Sequence, residues 1–462
     1  MANLFLLFLS AACVVCSTHD VNLTPYEIKV DSAQIQSLHE RLDDITWPTD
    51  LADVDSYDWK YGTPLGVIRE LVSHLRFEYN YVEQVAKLNE FPHFMARVSE
   101  FDVHFIHQRS SNENAVPLLF VHGWPGSFLE CTKVIPLLTE PQLFGGDASN
   151  AFHVVCPSIP GYGFSPAPTS SSFDQQKCAE VLNTLMIDVL NYDEFYLQGG
   201  DWGSVVTSLM AALPNSSQHI KGLHLNMVPA MPPINKGIWS LFKLVGSLLF
   251  PWWYYSAEER ASLLALPHRM LMETGYFHEQ STRPMTLSYG LSDSPVGLLA
   301  WIVEKYYAWS DCGDDLYTRF SKDELLTNFM IYWTTNSAAS SVRFYYEFFG
   351  HDSPVSAGGE RRVSAVERLS SLDVQVPTAF ALFPVEIFVP VEFFAQQYYS
   401  NIVHWHHMPK GGHFAALEEP VLLARDLWSL RDSIRERDEG SRGSDRDSDR
   451  TRGQSADGGV EL

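Results

Sequence analysis

The chain has 462 residues, 45% of them hydrophobic, and a formal net charge of −24. That length and apolar content suffice for one large domain with additions. The acidic balance argues against a nucleic-acid partner, because phosphate recognition needs a basic face.

Residues 3–16 are an apolar run that leads into the polar Ser17-Thr18-His19-Asp20. The run is shorter than the roughly 20 residues a spanning helix needs, so it predicts a secretory signal peptide over 1–17, with an uncleaved anchor as the alternative. The expected location is therefore the secretory pathway and export, or else association with the endoplasmic reticulum membrane. Asn22-Leu23-Thr24 and Asn215-Ser216-Ser217 match the glycosylation acceptor pattern. Cys131, Cys156, Cys178 and Cys312 would remain after cleavage, and no disulfide is assigned, because Cys156 falls in a predicted buried strand.

Residues 117–121, Pro-Leu-Leu-Phe-Val, are continuously apolar, as in a strand buried on both faces of a parallel sheet. His122-Gly123-Trp124-Pro125-Gly126-Ser127 follows. A His-Gly turn after such a strand offers a backbone N–H, here that of Trp124, to an oxyanion. A second strand is expected over 152–156. An amphipathic helix is expected over 173–190, with Val181, Leu182, Leu185, Met186, Val189 and Leu190 on one face. Between them, Pro160-Gly161-Tyr162-Gly163-Phe164-Ser165 reads as a glycine-rich loop.

The most informative stretch is Gly199-Gly200-Asp201-Trp202-Gly203, after the apolar Phe195-Tyr196-Leu197 and before an apolar 204–210. Strand, tight turn and helix is the context of a nucleophile elbow, where flanking glycines let the backbone crowd together and push one side chain outward. The central residue is Asp201 where ester-cleaving hydrolases carry serine. A carboxylate attacking a saturated carbon forms an alkyl ester that water must then cleave. The N–H of Trp202 would supply the second oxyanion donor. The plainer alternative is a Gly-Asp turn with Asp201 as a helix N-cap.

An insertion from 227 to 368 reads as a helical, aromatic-rich cap. Within it, 238–255 is almost wholly apolar and is expected to be a buried helix lining a substrate tunnel, with a membrane-contacting patch as the alternative. A strand over 378–383 precedes Pro384-Val385-Glu386, which makes Glu386 the leading orienting acid, with Glu392 and Asp373 as alternatives. A strand over 401–405 precedes Lys410-Gly411-Gly412-His413-Phe414. His413 is favoured as the base over His404, His406 and His407, because two glycines let its backbone reach the elbow. Those three histidines lack a spaced carboxylate or cysteine partner, so no metal site is assigned. A helix carrying Leu417, Val421, Leu422, Ala424 and Leu427 follows, and the polar stretch after Leu430 reads as a disordered tail.

Taken together, these motifs resemble those of the microsomal-type epoxide hydrolases of the α/β-hydrolase fold, over roughly residues 22–430. The resemblance rests on the core motifs around His122, Asp201, Glu386 and His413 and on Ile45-Thr46-Trp47-Pro48 and Asp58-Trp59-Lys60-Tyr61-Gly62, which are similar to the family's N-terminal segment. It also rests on Ser292-Asp293-Ser294-Pro295-Val296-Gly297-Leu298 and Asn328-Phe329-Met330-Ile331-Tyr332-Trp333, similar to its lid. It implies two lid tyrosines that donate hydrogen bonds to an epoxide oxygen. These are Tyr276, in Glu273-Thr274-Gly275-Tyr276, and Tyr345, preferred to Tyr346 by register in Arg343-Phe344-Tyr345-Tyr346-Glu347. A phenol is protonated at neutral pH and so can donate to an oxygen gaining charge.

The fold expected is α/β: a mostly parallel sheet with helices on both faces, a helical cap and an N-terminal extension. The divisions are 1–17, 18–95 (N-terminal segment), 96–226 (first core part), 227–370 (cap), 371–433 (second core part) and 434–462 (polar tail). The expected reaction turns an apolar epoxide and water into a vicinal diol without a cofactor. Asp201 is the nucleophile, His413 the base, Glu386 its orienting acid, Tyr276 and Tyr345 the epoxide-oxygen donors, and the N–H groups of Trp124 and Trp202 the oxyanion hole. Two rivals share the framework: a haloalkane dehalogenase with the same elbow aspartate, and a non-catalytic ligand-binding protein. Contact of the cap with a membrane surface and a homodimer stay open.

Overall fold

The computed structural model describes residues 23–49, 51–215, 218–230, 232–233, 236–349, 365–388 and 391–454. The expected signal peptide lies outside these residues, as do Asn22, Ser216 and Ser217 of the two glycosylation sequons. Among the described residues nine strands make one sheet: β1 (Leu23–Tyr26), β2 (His93–Val98), β3 (Phe101–Gln108), β4 (Val116–Val121), β5 (Phe152–Pro157), β6 (Phe195–Gly199), β7 (Ile220–Leu225), β8 (Thr378–Leu382) and β9 (Ile402–His407). Their order is β1-β2-β3-β5-β4-β6-β7-β8-β9. The first three join antiparallel, and everything from β5 to β9 is parallel. Parallel strands covered by helices on both faces must be apolar throughout, and Leu118, Leu119, Leu197, Leu223, Phe380 and Ala381 are all fully buried.

The chain reverses direction across the sheet at β4, whose neighbours are β5 and β6. Such a switch point opens a crevice at the carboxyl ends of the strands. The residues that leave β4, β6, β8 and β9 at those ends include His122, Asp201, Glu386 and His413.

A boundary expected at 95/96 falls inside β2, because the N-terminal segment contributes β1 and part of β2 to the same sheet. That segment also packs on the cap. Trp59 stacks on Tyr307 with centroids 3.8 Å apart, Thr63 Oγ1 donates to the Ala300 carbonyl at 2.7 Å, and His74 Nε2 meets Asp323 at 2.7 Å.

Three expectations are corrected here. The apolar stretch 238–255 is not a buried tunnel wall: its helices Ile238–Leu249 and Pro251–Tyr254 leave Trp239 77%, Phe242 62%, Leu248 69%, Trp252 64% and Trp253 79% exposed. An all-apolar helix carries no polar face to say which side meets water. The segment from 434, expected to be disordered, continues a helix that runs Pro420–Gln454. Leu423, Leu427, Leu430 and Ile434, three or four residues apart, bury one stripe of it, and Arg435 pairs with Asp432 in the next turn. Cys131 and Cys156 form a disulfide, a pairing not expected from the sequence. Neighbouring chain segments place their Cα atoms 6.7 Å apart, although one of them lies in a buried strand.

Candidate active site

Asp201 leaves β6 through Gly200 and opens the helix Asp201–Ala211. Its φ is +46°, a left-handed conformation that costs a non-glycine residue roughly 1–2 kcal/mol. The surroundings enforce it. A Cβ on Gly203 would lie 1.9 Å from the Val121 carbonyl oxygen, and one on Gly199 would lie 2.3 Å from the Gly203 carbonyl oxygen. Only bare backbone lets the helix approach β4 this closely, and the sharp turn it makes projects the carboxylate beyond the sheet.

The turn after β4 meets that carboxylate from the other side. The Trp124 N–H donates to Asp201 Oδ1 at 2.8 Å. A Cβ on Gly123 would lie 2.3 Å from both Oδ1 and Cβ of Asp201, so glycine is required there too. Trp202 occupies the first turn of its helix, where N–H groups have no partner within the helix. The cap helix Lys322–Thr335 clamps the turn: Asn328 Nδ2 donates to the Pro125 carbonyl at 2.8 Å, Tyr332 Oη to the Gly126 carbonyl at 2.7 Å, and Ser127 Oγ to Asn328 Oδ1 at 2.9 Å. His122 is structural. Its Nδ1 donates to the Gly123 carbonyl, Nε2 accepts from the Ile159 N–H, and burial takes its pKa down to about 4, which keeps it neutral.

His413 arrives from β9 through Gly411, with φ +101°, and Gly412, where a Cβ would lie 2.5 Å from the Trp309 carbonyl oxygen. That carbonyl accepts the His413 N–H at 2.8 Å and fixes the loop. The imidazole lies between two carboxylates. Nδ1 donates to Glu386 Oε1 at 2.6 Å, and Nε2 is 3.4 Å from Asp201 Oδ2. Burial alone would lower its pKa, but Glu386 and Asp201 together hold it well above the ordinary histidine value.

Of the three candidate acids, only Glu386 reaches the histidine. Glu392 accepts from Gln396 and gives its N–H to Glu259, and Asp373 is exposed beside Gln375. His404 and His406 lie on β9, and the carboxylate partner that their sequence neighbourhood does not offer comes from far along the chain. Asp426, distant in sequence, takes His224 Nε2 at 3.0 Å and His406 Nδ1 at 2.5 Å, tying the last helix to β7 and β9. Ligand atoms of His404, His406 and Asp426 lie within 4.8 Å of one another, with both Asp426 oxygens already hydrogen-bonded.

The cap closes over this group with aromatic rings. Tyr276 lies parallel to Trp124 with centroids 5.6 Å apart. Tyr345 stands edge-on to Trp124 at 5.8 Å, to Trp202 at 4.7 Å and to Tyr276 at 6.0 Å. Tyr345 is buried in the helix Ala338–Phe349, whereas Tyr346 on the next position is half-buried. Burial, reinforced by the charge of Asp201, raises both Tyr276 and Tyr345 well above the ordinary phenol pKa, so each stays a donor.

A carboxylate held by a backbone N–H thus faces a carboxylate-paired histidine beneath two phenols. Comparisons with known proteins identify the family. Residues 23–131 match the family described as "Epoxide hydrolase N terminus", and residues 116–354 the α/β hydrolase fold. "Epoxide hydrolase 1" of Oryctolagus cuniculus is 38% identical over 422 residues, covering 88% of each chain. The chain belongs to the epoxide hydrolase family. "Juvenile hormone epoxide hydrolase 2" of Ctenocephalides felis is 36% identical, over 89% of this chain and 85% of its own. The crystal structure of juvenile hormone epoxide hydrolase from the silkworm Bombyx mori superposes with a TM-score of 0.79 at 30% identity, covering 90% of this epoxide hydrolase and 96% of the silkworm chain. The dehalogenase and non-catalytic readings give way to this assignment. The carboxyl of Glu130, which no local pattern marks, folds back onto the same turn, where a Cβ on Gly126 would lie 1.5 Å from its Oε1.

Proposed function

We propose that this epoxide hydrolase opens an apolar epoxide by attack of Asp201 and releases a vicinal diol by hydrolysis of the resulting ester. One observation carries the reading. Asp201 Oδ1 is anchored by the Trp124 N–H at 2.8 Å, so it stays as the carbonyl oxygen of the ester and Oδ2 is left to attack. As the ring opens, Tyr276 and Tyr345 donate to the epoxide oxygen. Ester formation removes the charge of Asp201, one of the two carboxylates that hold a proton on His413. The imidazole gives up that proton to the alkoxide left by the epoxide oxygen and can then take one from water, while Glu386 keeps Nδ1 protonated and the ring in place. The hydroxide attacks Cγ, and the tetrahedral oxyanion is held by the N–H groups of Trp124 and Trp202.

The aromatic surroundings favour an apolar epoxide of lipid or terpenoid type, in keeping with relatives named for juvenile hormone. The apolar run at 3–16 and the Cys131–Cys156 bridge support passage through an oxidising secretory compartment. Among the described residues no helix is long and apolar enough to cross a membrane. The exposed face of Ile238–Leu249 and Pro251–Tyr254, with Lys243 as its one charge, suits contact with a lipid surface in which such substrates dissolve.

The test is a single turnover in heavy-oxygen water. The first diol should carry unlabelled oxygen from Asp201, and the label should appear in the Asp201 carboxylate. Label in the diol on the first turnover would overturn the covalent route.

A further inference from the structure

Lys305 is a buried cation that the chemistry above does not use. It lies in the last turn of the cap helix Pro295–Ala308, one turn before Trp309. The residue is 6% exposed, and its Nζ stands 4.5 Å from the centroid of the Tyr276 ring and 5.5 Å from that of Trp309. Both distances are within the roughly 6 Å over which a cation is attracted to an aromatic face. A buried ammonium needs a counter-charge, and Glu304, whose side chain is 25% exposed, pairs with it. Among the described residues no lysine or arginine lies over the ring of Tyr345.

Hydrogen bonds on either side hold Lys305 at this place. Trp301, one turn before it, donates its Nε1–H to Gln280 Oε1 at 3.0 Å, and Gln280 lies one turn after Tyr276 on the helix Gly275–Thr282. One turn after Lys305, the Trp309 carbonyl takes the His413 N–H at 2.8 Å. The two cap helices are thus tied so that the ammonium meets the Tyr276 ring.

The carboxylates near Tyr276 act against its work as a donor. Burial does most to raise its pKa, and the charges of Asp201, Glu386 and Glu304 add to this. The phenol therefore keeps its proton, but its O–H yields charge to an acceptor reluctantly. A cation over the ring acts in the opposite sense.

We propose that Lys305 is a positioning residue for epoxide opening: its ammonium, held over the Tyr276 ring, draws electron density from the phenol and strengthens the hydroxyl as a donor to the epoxide oxygen. This rests on the reading of Tyr276 as a donor. In the step, Asp201 Oδ2 bonds to the epoxide carbon, the C–O bond breaks, and its electron pair stays on the oxygen. The negative charge there is shared with the Tyr276 ring through the hydrogen bond, and Lys305, being buried, attracts it with little screening by water. No proton or electron passes to Lys305. The attraction grows as the ring opens, so it favours the transition state over the bound epoxide.

The experiment is a double-mutant cycle on the alkylation rate, followed by rapid quench and intact-protein mass measurement. Lys305→Met keeps an unbranched stem without the charge, and it should slow alkylation by about three- to thirtyfold. The same change in a Tyr276→Phe background should slow it no further, whereas in a Tyr345→Phe background the full factor should remain. Hydrolysis of a pre-formed adduct should stay within about twofold, which a general disturbance of Trp309 and His413 would not allow. Lys305→Arg restores a cation and should stay within about threefold of the unaltered enzyme. Lys305→Gln carries the test if Lys305→Met does not fold. If Tyr276→Phe slows alkylation while the neutral variants at 305 do not, the role of Lys305 is overturned alone. Equal slowing with and without the Tyr276 hydroxyl, equal slowing of both chemical steps, or a loss in Lys305→Arg as large as in Lys305→Met overturns it in the same way. If Tyr276→Phe leaves alkylation unchanged, the donor reading of Tyr276 fails and this proposal with it.

Discussion

Replacing Tyr345 by phenylalanine removes one hydroxyl and keeps the ring that packs edge-on against Trp124, Trp202 and Tyr276. The shape of the chamber should therefore survive, and the change in rate should report one lost donor. That donor acts on an oxygen gaining negative charge, where a hydrogen bond is worth about 1.5–3 kcal/mol. Alkylation should slow by about ten- to a hundredfold, because Tyr276 still donates. The double variant with Tyr276→Phe should lose far more, since the alkoxide then forms with neither phenol to receive it. Stopped-flow tryptophan fluorescence suits the assay, because the Trp124 N–H binds the Asp201 carboxylate, Trp202 follows Asp201 in the chain, and both rings touch Tyr345. Ester hydrolysis on a pre-formed adduct should change little, its oxyanion facing backbone N–H groups instead. Tyr346→Phe supplies the register control. Full alkylation rates in Tyr345→Phe, or a defect in Tyr346→Phe instead, would refute the placement of the donor.

The alkylation rate should stay high as the pH is raised through 10, because burial lifts Tyr276 and Tyr345 above the ordinary phenol pKa and each keeps its proton there; a fall centred near 10 in the pre-steady-state profile would contradict this. Gly203→Ala would force a methyl group to within 1.9 Å of the Val121 carbonyl oxygen, so thermal melting should show a loss of about 3 kcal/mol or more, and an unchanged melting temperature would mean that the helix is not pinned as described. Flotation with anionic or neutral lipid vesicles should carry the unaltered chain upward, and serine at Trp239, Trp252 and Trp253 should abolish this while diol formation from a soluble epoxide continues; equal flotation of both would remove the cap face as a lipid contact.

The sequence by itself determined those features that one short stretch of backbone has to satisfy. Gly199, Gly203 and Gly123 had to be glycine because strand, turn and helix crowd together at Asp201, and the apolar runs at 117–121 and 195–197 had to lie in buried strands because nothing polar interrupts them. His413 was legible for the same reason, as Gly411 and Gly412 allow the approach to Trp309. Tertiary structure decided whatever depends on segments far apart in the chain. Glu386, Glu392 and Asp373 are equivalent as residues, and only the loop after β8 brings one of them to the imidazole. Asp426 pairs with His224 and His406, Cys131 with Cys156, and Glu130 leans on Gly126, none of which follows from local pattern. The cap stretch 238–255 departs from the expected buried helix for a related reason. Hydrophobicity gives the cost of exposing a helix to water, but whether another surface covers it is settled only by what packs beside it, and here nothing among the described residues covers Trp239, Trp252 or Trp253.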